Sequence, residues 1–230
     1  MSFRYEDVAQ SIDHALLNPA LAERELEAGC KLAVHYGVAS VCVLPYFLPR
    51  AVELLGNGSV RSSTTIGFPH GGHATAVKVA EAERALGDGA DELDVVVNIS
   101  KVVTGDFAYV RAELGDVVRA VRASGKKMKV IFENAYLNES QKVTLCAICG
   151  EVGADWAKTS TGFAPTGATV EDVRLMRTHC APSVQIKASG GVHDLDALLA
   201  FRALGATRIG TSRTRDILEE CRRRLARAAV

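Results

Sequence analysis

Residues 91–98 read DELDVVVN, and the way they alternate decides the fold. Successive side chains of an extended chain point to opposite faces. Leu93, Val95 and Val97 therefore share one face, while Glu92, Asp94 and Asn98 share the other. The same division recurs outward from this stretch. In MKVIFE (128–133), Met128, Val130 and Phe132 oppose Lys129 and Glu133. In SVQIKAS (183–189), Val184 and Ile186 oppose Gln185, Lys187 and Ser189. In ADWAKTS (154–160), Lys158 shares its face with Trp156 and Ser160. Further runs begin at Val38 (VASVCVL), Ser62 (SSTTIGF) and Ala206 (ATRIGTS). The starts recur about every 28 residues, the length of one strand–loop–helix unit in a parallel sheet. Ser11-Ile12-Asp13-His14 supplies an eighth strand near the N-terminus.

The segments between these runs carry helical spacing. Leu114, Val117, Val118 and Val121 fall on one helix face, with Gly125 following as a C-terminal stop. Leu195, Leu198 and Leu199 follow Asp194 as N-cap and precede Gly205. Thr169 and Asp172 have the spacing of a capping box. No Pro/Ser-rich linker divides the 230 residues, so the expectation is a single-domain α/β protein, a (β/α)8 TIM barrel over 1–230. The rival, an open doubly wound sheet, would usually open its first helix with G-x-G-x-x-G, which this chain lacks.

Composition narrows the function. With 48% hydrophobic residues and 27 basic against 27 acidic side chains, the chain has a substantial core and no basic excess for nucleic acid. No stretch reaches the roughly 20 apolar residues of a membrane span, and residues 1–10 show no secretory pattern. Six irregularly spaced cysteines in apolar segments read as free buried thiols, and the whole as a reduced, cytoplasmic protein.

In a barrel wrapped by helices the apolar face meets the helices and the other face lines the interior. Glu92, Asp94, Lys129, Glu133, Lys158 and Lys187 would then converge there. Unpaired buried charges cost several kcal/mol, so such a set must be mutually paired or partly neutral. Most of these residues sit late in their strands, at the end where barrels carry their active sites. Lys158 and Lys187 stand on neighbouring strands. Their proximity and burial push both amines toward the neutral form, and a neutral amine can attack a carbonyl to form a Schiff base. Asp94 and Glu133 are suited to managing protons. Ser189-Gly190-Gly191 and Gly210-Thr211-Ser212 end the last two strands and open onto helices, the usual phosphate position in barrels.

On these residues the chain resembles the deoxyribose-phosphate aldolases, class I Schiff-base aldolases on a (β/α)8 barrel. The resemblance runs from IDHALLNP (12–19) through VCVLPYFLPRA, TTIGFPHG, ADELDVVVNI, KVIFEN, DWAKTSTGF and IKASGGV to RIGTS (208–212). KTSTGF and the KASGG lysine are its most specific parts. It implies that Lys158 carries a covalent imine with acetaldehyde, that Lys187 lowers its pKa, and that Asp94 works through a water on the proton transfers. Gly190, Gly191, Gly210 and Ser212 would hold the phosphate, with Arg213 beside them and Asp13, Cys42 and Glu133 near the substrate. The partners it implies are small aldehydes and sugar phosphates, with no cofactor and no metal. Ala15, Asn134 and Thr211-Arg213 depart from the family's usual residues and bear on the acceptor aldehyde.

Other features have plainer readings. Cys146 and Cys149 lie mid-helix without a second ligand pair and read as core thiols. His70 and His73 lie in a glycine-rich loop without a completing carboxylate. The Arg208–Val230 tail, with seven arginines against three acids, reads as the solvated face of a last helix. Exposed Tyr46 and Phe47 leave a homo-oligomer open. The rival functions are a Schiff-base aldolase acting on another sugar, a phosphate-binding isomerase using Asp94 and Glu133, and a sugar-phosphate sensor without turnover.

Overall fold

The alternating runs become eight strands: β1 Ile12–Leu16, β2 Ser40–Val43, β3 Arg61–Ile66, β4 Glu92–Val96, β5 Lys127–Ile131, β6 Trp156–Lys158, β7 Gln185–Ser189 and β8 Ala206–Thr211. The computed structural model describes residues 3–228. In it each strand pairs in parallel with the next, and β8 pairs back onto β1 to close a barrel. The helices are α1 Tyr5–Ala9, α2 Glu23–Tyr36, α3 Leu48–Leu55, α4 Thr75–Gly87, α5 Ile99–Thr104, α6 Phe107–Ala123, α7 Glu139–Val152, α8 Val170–His179, α9 Leu195–Ala203 and α10 Thr214–Ala228. Of these, α1 precedes the first strand and α5 is inserted between β4 and α6, so neither belongs to the eightfold alternation.

Local chemistry sets the helix ends. The Asp194 carboxylate accepts from Ala197 N at 2.8 Å and starts α9. Thr169 Oγ1 accepts from Asp172 N at 3.1 Å and starts α8. Only half of that capping box forms, because Asp172 turns its carboxylate to Lys142 Nζ at 2.6 Å. Gly125, with φ 67°, sits just past the end of α6, where a left-handed residue turns the chain out of the helix.

The core is the layer between strands and helices. Leu93, Val95, Val130, Phe132 and Ile186 are fully buried, as are Leu114, Val117 and Leu198 from the helices. Each such side chain contributes about 1.5–3 kcal/mol through burial. All six cysteines are free and buried, Cys146 and Cys149 among them. Lys78 of α4 and Glu113 of α6 form a fully buried ion pair at 2.9 Å within this layer, which the sequence reading did not anticipate.

The register aligns the inward-facing residues across the strands. Asp94 stands opposite Lys129, and Lys158 opposite Lys187. Arg208 corrects the reading of the basic tail: it belongs to β8, and its side chain is only 13% exposed. Tyr46 is exposed, but Phe47 packs partly against the core. His70 and His73 are both exposed. Among the described residues no three His, Cys, Asp or Glu side chains cluster as metal ligands would, and no helix is long and apolar enough to cross a membrane.

Candidate active site

The inward-facing charges form one connected cluster. Lys158 Nζ and Lys187 Nζ each donate to Asp94 Oδ2 at 2.7 Å. Lys129 Nζ donates to the other oxygen, Oδ1, at 2.8 Å. Below them, Lys187 pairs with Asp13 Oδ2 at 2.6 Å and Lys129 with Glu92 Oε2 at 2.6 Å. Arg208 completes the base, reaching Asp13 at 2.5 Å and Glu92 at 2.7 Å, with its guanidinium 4.9 Å above the Trp156 ring. Five of the six groups expected in the interior are there. Glu133 is not among them, while Asp13 and Arg208 are.

The cluster holds four basic groups (Lys129, Lys158, Lys187, Arg208) against three carboxylates (Asp13, Glu92, Asp94). One positive charge is therefore in excess if all are ionised. Burial alone would raise the Asp94 carboxyl, but the three lysines around it hold it well below the usual carboxylate range. Burial also opposes the charge on Lys129, which Asp94, Glu92 and Asp13 outweigh, raising it well above the ordinary lysine value. Lys187 is raised too, because Asp13 and Asp94 together overcome its burial. Lys158 alone among these lysines is pushed down, by burial reinforced by Lys187. The expectation that both amines of the pair are depressed is thus corrected: Asp13, far away in sequence, supplies Lys187 with a second carboxylate.

Lys158 opens upward into a cavity of about 460 Å³ at the C-terminal ends of the strands. Asp13, Cys42, Lys187, Gly190, Gly191, Gly210 and Ser212 line it, together with Ala15 at the departure from the aldolase pattern. Asp94 lies beneath the lining, in contact with both lysines. Burial raises the Cys42 thiol. The glycine turns are tightly fitted. A Cβ on Gly210 would stand 2.8 Å from Ser189 Cβ, and one on Gly167 would stand 2.2 Å from the Gly190 carbonyl oxygen. The segment after β6 is thereby drawn down onto the turn after β7, where Ala168 N donates to Ser189 O at 3.0 Å.

Two of the sequence-derived residues lie elsewhere. Arg213 is outside the cavity lining, with its exposed guanidinium 3.7 Å from Asp216 on α10. Glu133 satisfies the alternation of β5, but that strand ends at Ile131. Glu133 then turns left-handed (φ 56°), the one non-glycine residue with positive φ among the described residues. Its buried carboxylate accepts from Thr161 N at 3.2 and 3.3 Å and from the Thr161 hydroxyl in a short hydrogen bond. Burial raises its pKa, against the pull of those Thr161 bonds. Asn134 is also buried away from the cavity, its amide against Met176 Sδ at 3.4 Å.

The sequence reading missed several lining residues: Asn18, Leu21, Thr161, Phe163 and His193. Thr161 and Phe163 lie inside KTSTGF, and His193 follows the Gly190-Gly191 turn, so proximity to those motifs was the available signal. Phe163 N donates to Thr161 Oγ1 at 3.0 Å, and the Phe163 ring meets Phe68 edge-on at 5.3 Å.

Comparison with known proteins gives the same direction. The family model of the DeoC/LacD family aldolases matches residues 7–220. A deoxyribose-phosphate aldolase of Rhodopirellula baltica is 54% identical over 228 residues, covering 99% of this chain and 95% of that protein. Among solved structures, one titled "QR15, an Aldolase" superposes with a TM-score of 0.91 at 41% identity, covering 96% of this chain and 98% of its own. The deoxyribose phosphate aldolase of Aeropyrum pernix, described as a unique tetramer, gives a TM-score of 0.86 at 30% identity, with 95% and 92% covered.

Proposed function

The chain belongs to the DeoC/LacD family of aldolases, and we propose from that membership and from the charge cluster that it cleaves 2-deoxy-D-ribose 5-phosphate to acetaldehyde and D-glyceraldehyde 3-phosphate. It is a carbon–carbon lyase, and the reverse aldol addition uses the same groups. The observation that carries the reading is the depressed amine of Lys158 at the floor of the cavity, beside a carboxylate and a second lysine that remain charged.

In the proposed path the free Lys158 amine adds to the C1 aldehyde of the open-chain sugar. The carbinolamine oxygen leaves as water and the imine forms. The C3 hydroxyl then gives up its proton, and the electrons of the C2–C3 bond pass to the protonated imine. Glyceraldehyde 3-phosphate departs, C2 of the enamine takes a proton, and water releases acetaldehyde and the amine. The protonated imine is the electron sink, so the path calls for no cofactor. Asp94 would pass protons through a water, a role supported by its contact with Lys158 Nζ at 2.7 Å, with the Lys187 ammonium adding positive charge as the imine forms. Gly190, Gly191 and Ser212 stand at turns before α9 and α10, and Gly210 near the end of β8, where backbone N–H groups suit a phosphate. The isomerase alternative loses support, because Glu133, the second acid–base group it needs, lies past the end of β5 and is turned onto Thr161. The reading includes self-association, supported by the tetrameric Aeropyrum pernix relative.

Borohydride reduction in the presence of acetaldehyde tests it. An ethyl group should appear on the Lys158 peptide, and Lys158→Ala should lose both the label and the release of glyceraldehyde 3-phosphate from the sugar. A label on another lysine, or full turnover by Lys158→Ala, would overturn the assignment.

A further inference from the structure

The charge cluster reaches the barrel's opposite end. Arg208 lines a second cavity there, also about 460 Å³, with Arg61, Asp91, Glu92, Lys126 and Lys127 around it. Lys126 is paired with Asp91 at 2.7 Å and Lys127 with Asp155 at 2.7 Å, so both are partly neutralised by their own partners. Arg208 instead turns inward to two cluster carboxylates. Two chains of contacts, each link 2.8 Å or shorter, lead from it to Asp94: through Asp13 and Lys187, and through Glu92 and Lys129. Asp94 then meets Lys158.

We propose that Arg208 is a positioning residue for catalysis, its fixed charge at the base of the barrel leaving Lys158 as the member of the cluster that gives up its proton. The inference rests on Lys158 being the nucleophile. A guanidinium is ionised at any pH of interest, so the charge that Arg208 sets against Asp13 and Glu92 cannot itself yield. With Lys129 and Lys187 each between carboxylates, the excess positive charge is relieved at the one base with a single carboxylate contact, Lys158. The titratable groups facing Lys158 are Asp94 from β4, Lys187 from β7, Cys42 from β2 and Glu133 beyond β5. Removing Arg208 leaves three bases and three carboxylates, and protonated Lys158 then completes neutrality. Removing the charge of Glu92 has the opposite sign.

The test is the pH dependence of reductive trapping of acetaldehyde on Lys158, read by mass spectrometry of its peptide. In wild type the rate falls as the pH drops and the amine protonates. In Arg208→Met that fall should move to higher pH by about one unit, a tenfold change in the protonation ratio. In Glu92→Gln it should move to lower pH. Arg208→Lys, which keeps the charge, should restore the wild-type profile. Trp156, the protein's single tryptophan, lies against Arg208 and would report the substitution itself, so unchanged far-UV circular dichroism and melting temperature certify that the barrel is intact. If Arg208→Met folds poorly, Glu92→Gln still tests the inference, by a move to lower pH that Arg208→Lys should not show. A label on Lys158 whose pH profile is the same in all variants would show that the charge at the base of the barrel does not set the protonation of Lys158, which overturns the inference alone. No label on Lys158 in the wild type would overturn the function beneath it.

Discussion

At Glu133 the chain keeps a side chain in the left-handed region, where contact of Cβ with the following carbonyl costs about 1–2 kcal/mol. The Thr161 amide and hydroxyl answer that cost, since a carboxylate accepting charge-assisted bonds forms stronger ones than a neutral group. The contact fixes Thr161, and through it the Phe163 amide, as one wall of the cavity three and five residues beyond Lys158. Glu133→Gln preserves the shape but presents an NH2 group where one of the oxygens accepted. We expect kcat for cleavage of 2-deoxyribose 5-phosphate to fall by up to about 100-fold, the effect of a misplacement near 1 Å, with the melting temperature little changed. Separate kcat and KM values, with near-UV circular dichroism as the control for folding, check this. A variant that melts early yet turns over at the wild-type rate when folded would make the bond purely structural.

Strands and helices carry a different kind of coupling, seen where the first strand meets the last helix. His14 on β1 is buried, with Nδ1 2.9 Å from Thr214 Oγ1 at the start of α10. Burial pushes its imidazole down to about 4 from the ordinary 6.5. Between those values the unfolded chain binds a proton that the folded chain refuses. Stability is therefore lost as the pH falls from 6.5 to about 4, by about 3 kcal/mol in all, and is flat with respect to this group outside that window. Urea unfolding at pH 7 and pH 4.5 should show a larger loss for wild type than for His14→Gln, and equal losses would refute it. The elements themselves were legible where one face is apolar and the other is not: β4, β5 and β7 can be read from alternation alone. What alternation does not contain is where a strand stops. Glu133 has the right parity for the interior and lies two residues past the end of β5. Nor does it say which strands, distant in sequence, supply partners: Asp13 and Arg208, 195 positions apart, meet only when β8 closes on β1. Among seven arginines near the C-terminus, the inward one is distinguished by sitting on a strand, and the bulge between Ile186 and Lys187 in the β7–β8 register obscures even that parity.

For the molecule as a whole, the layer of helices is tied to the barrel by a second buried pair remote from the cavity lining. In α4 the buried positions Lys78, Ala82 and Ala85 follow helical spacing, so a lysine stands on the stripe that should be apolar. Its Nζ donates to Glu113 Oε2 at 2.9 Å and to the Val96 carbonyl at the end of β4 at 2.8 Å, while Glu113 also accepts from Asn98 N at 3.3 Å. Two helices and the rim of the barrel are thereby joined at one point. Burial drives both partners toward neutrality, lowering Lys78 and raising Glu113, and each limits the other's shift. Such a pair recovers in mutual attraction roughly what its desolvation costs, so its partners stabilise the fold only together. Lys78→Met should cost about 3–5 kcal/mol, because it strands a carboxylate in an apolar layer. Adding Glu113→Leu should return most of that loss, since the uncompensated charge goes with it, although the two amide and carbonyl contacts at the rim are forfeited. Urea unfolding of both variants measures the difference. A double variant as unstable as Lys78→Met would mean that the contacts to Val96 and Asn98, rather than the opposed charges, hold the helices to the barrel.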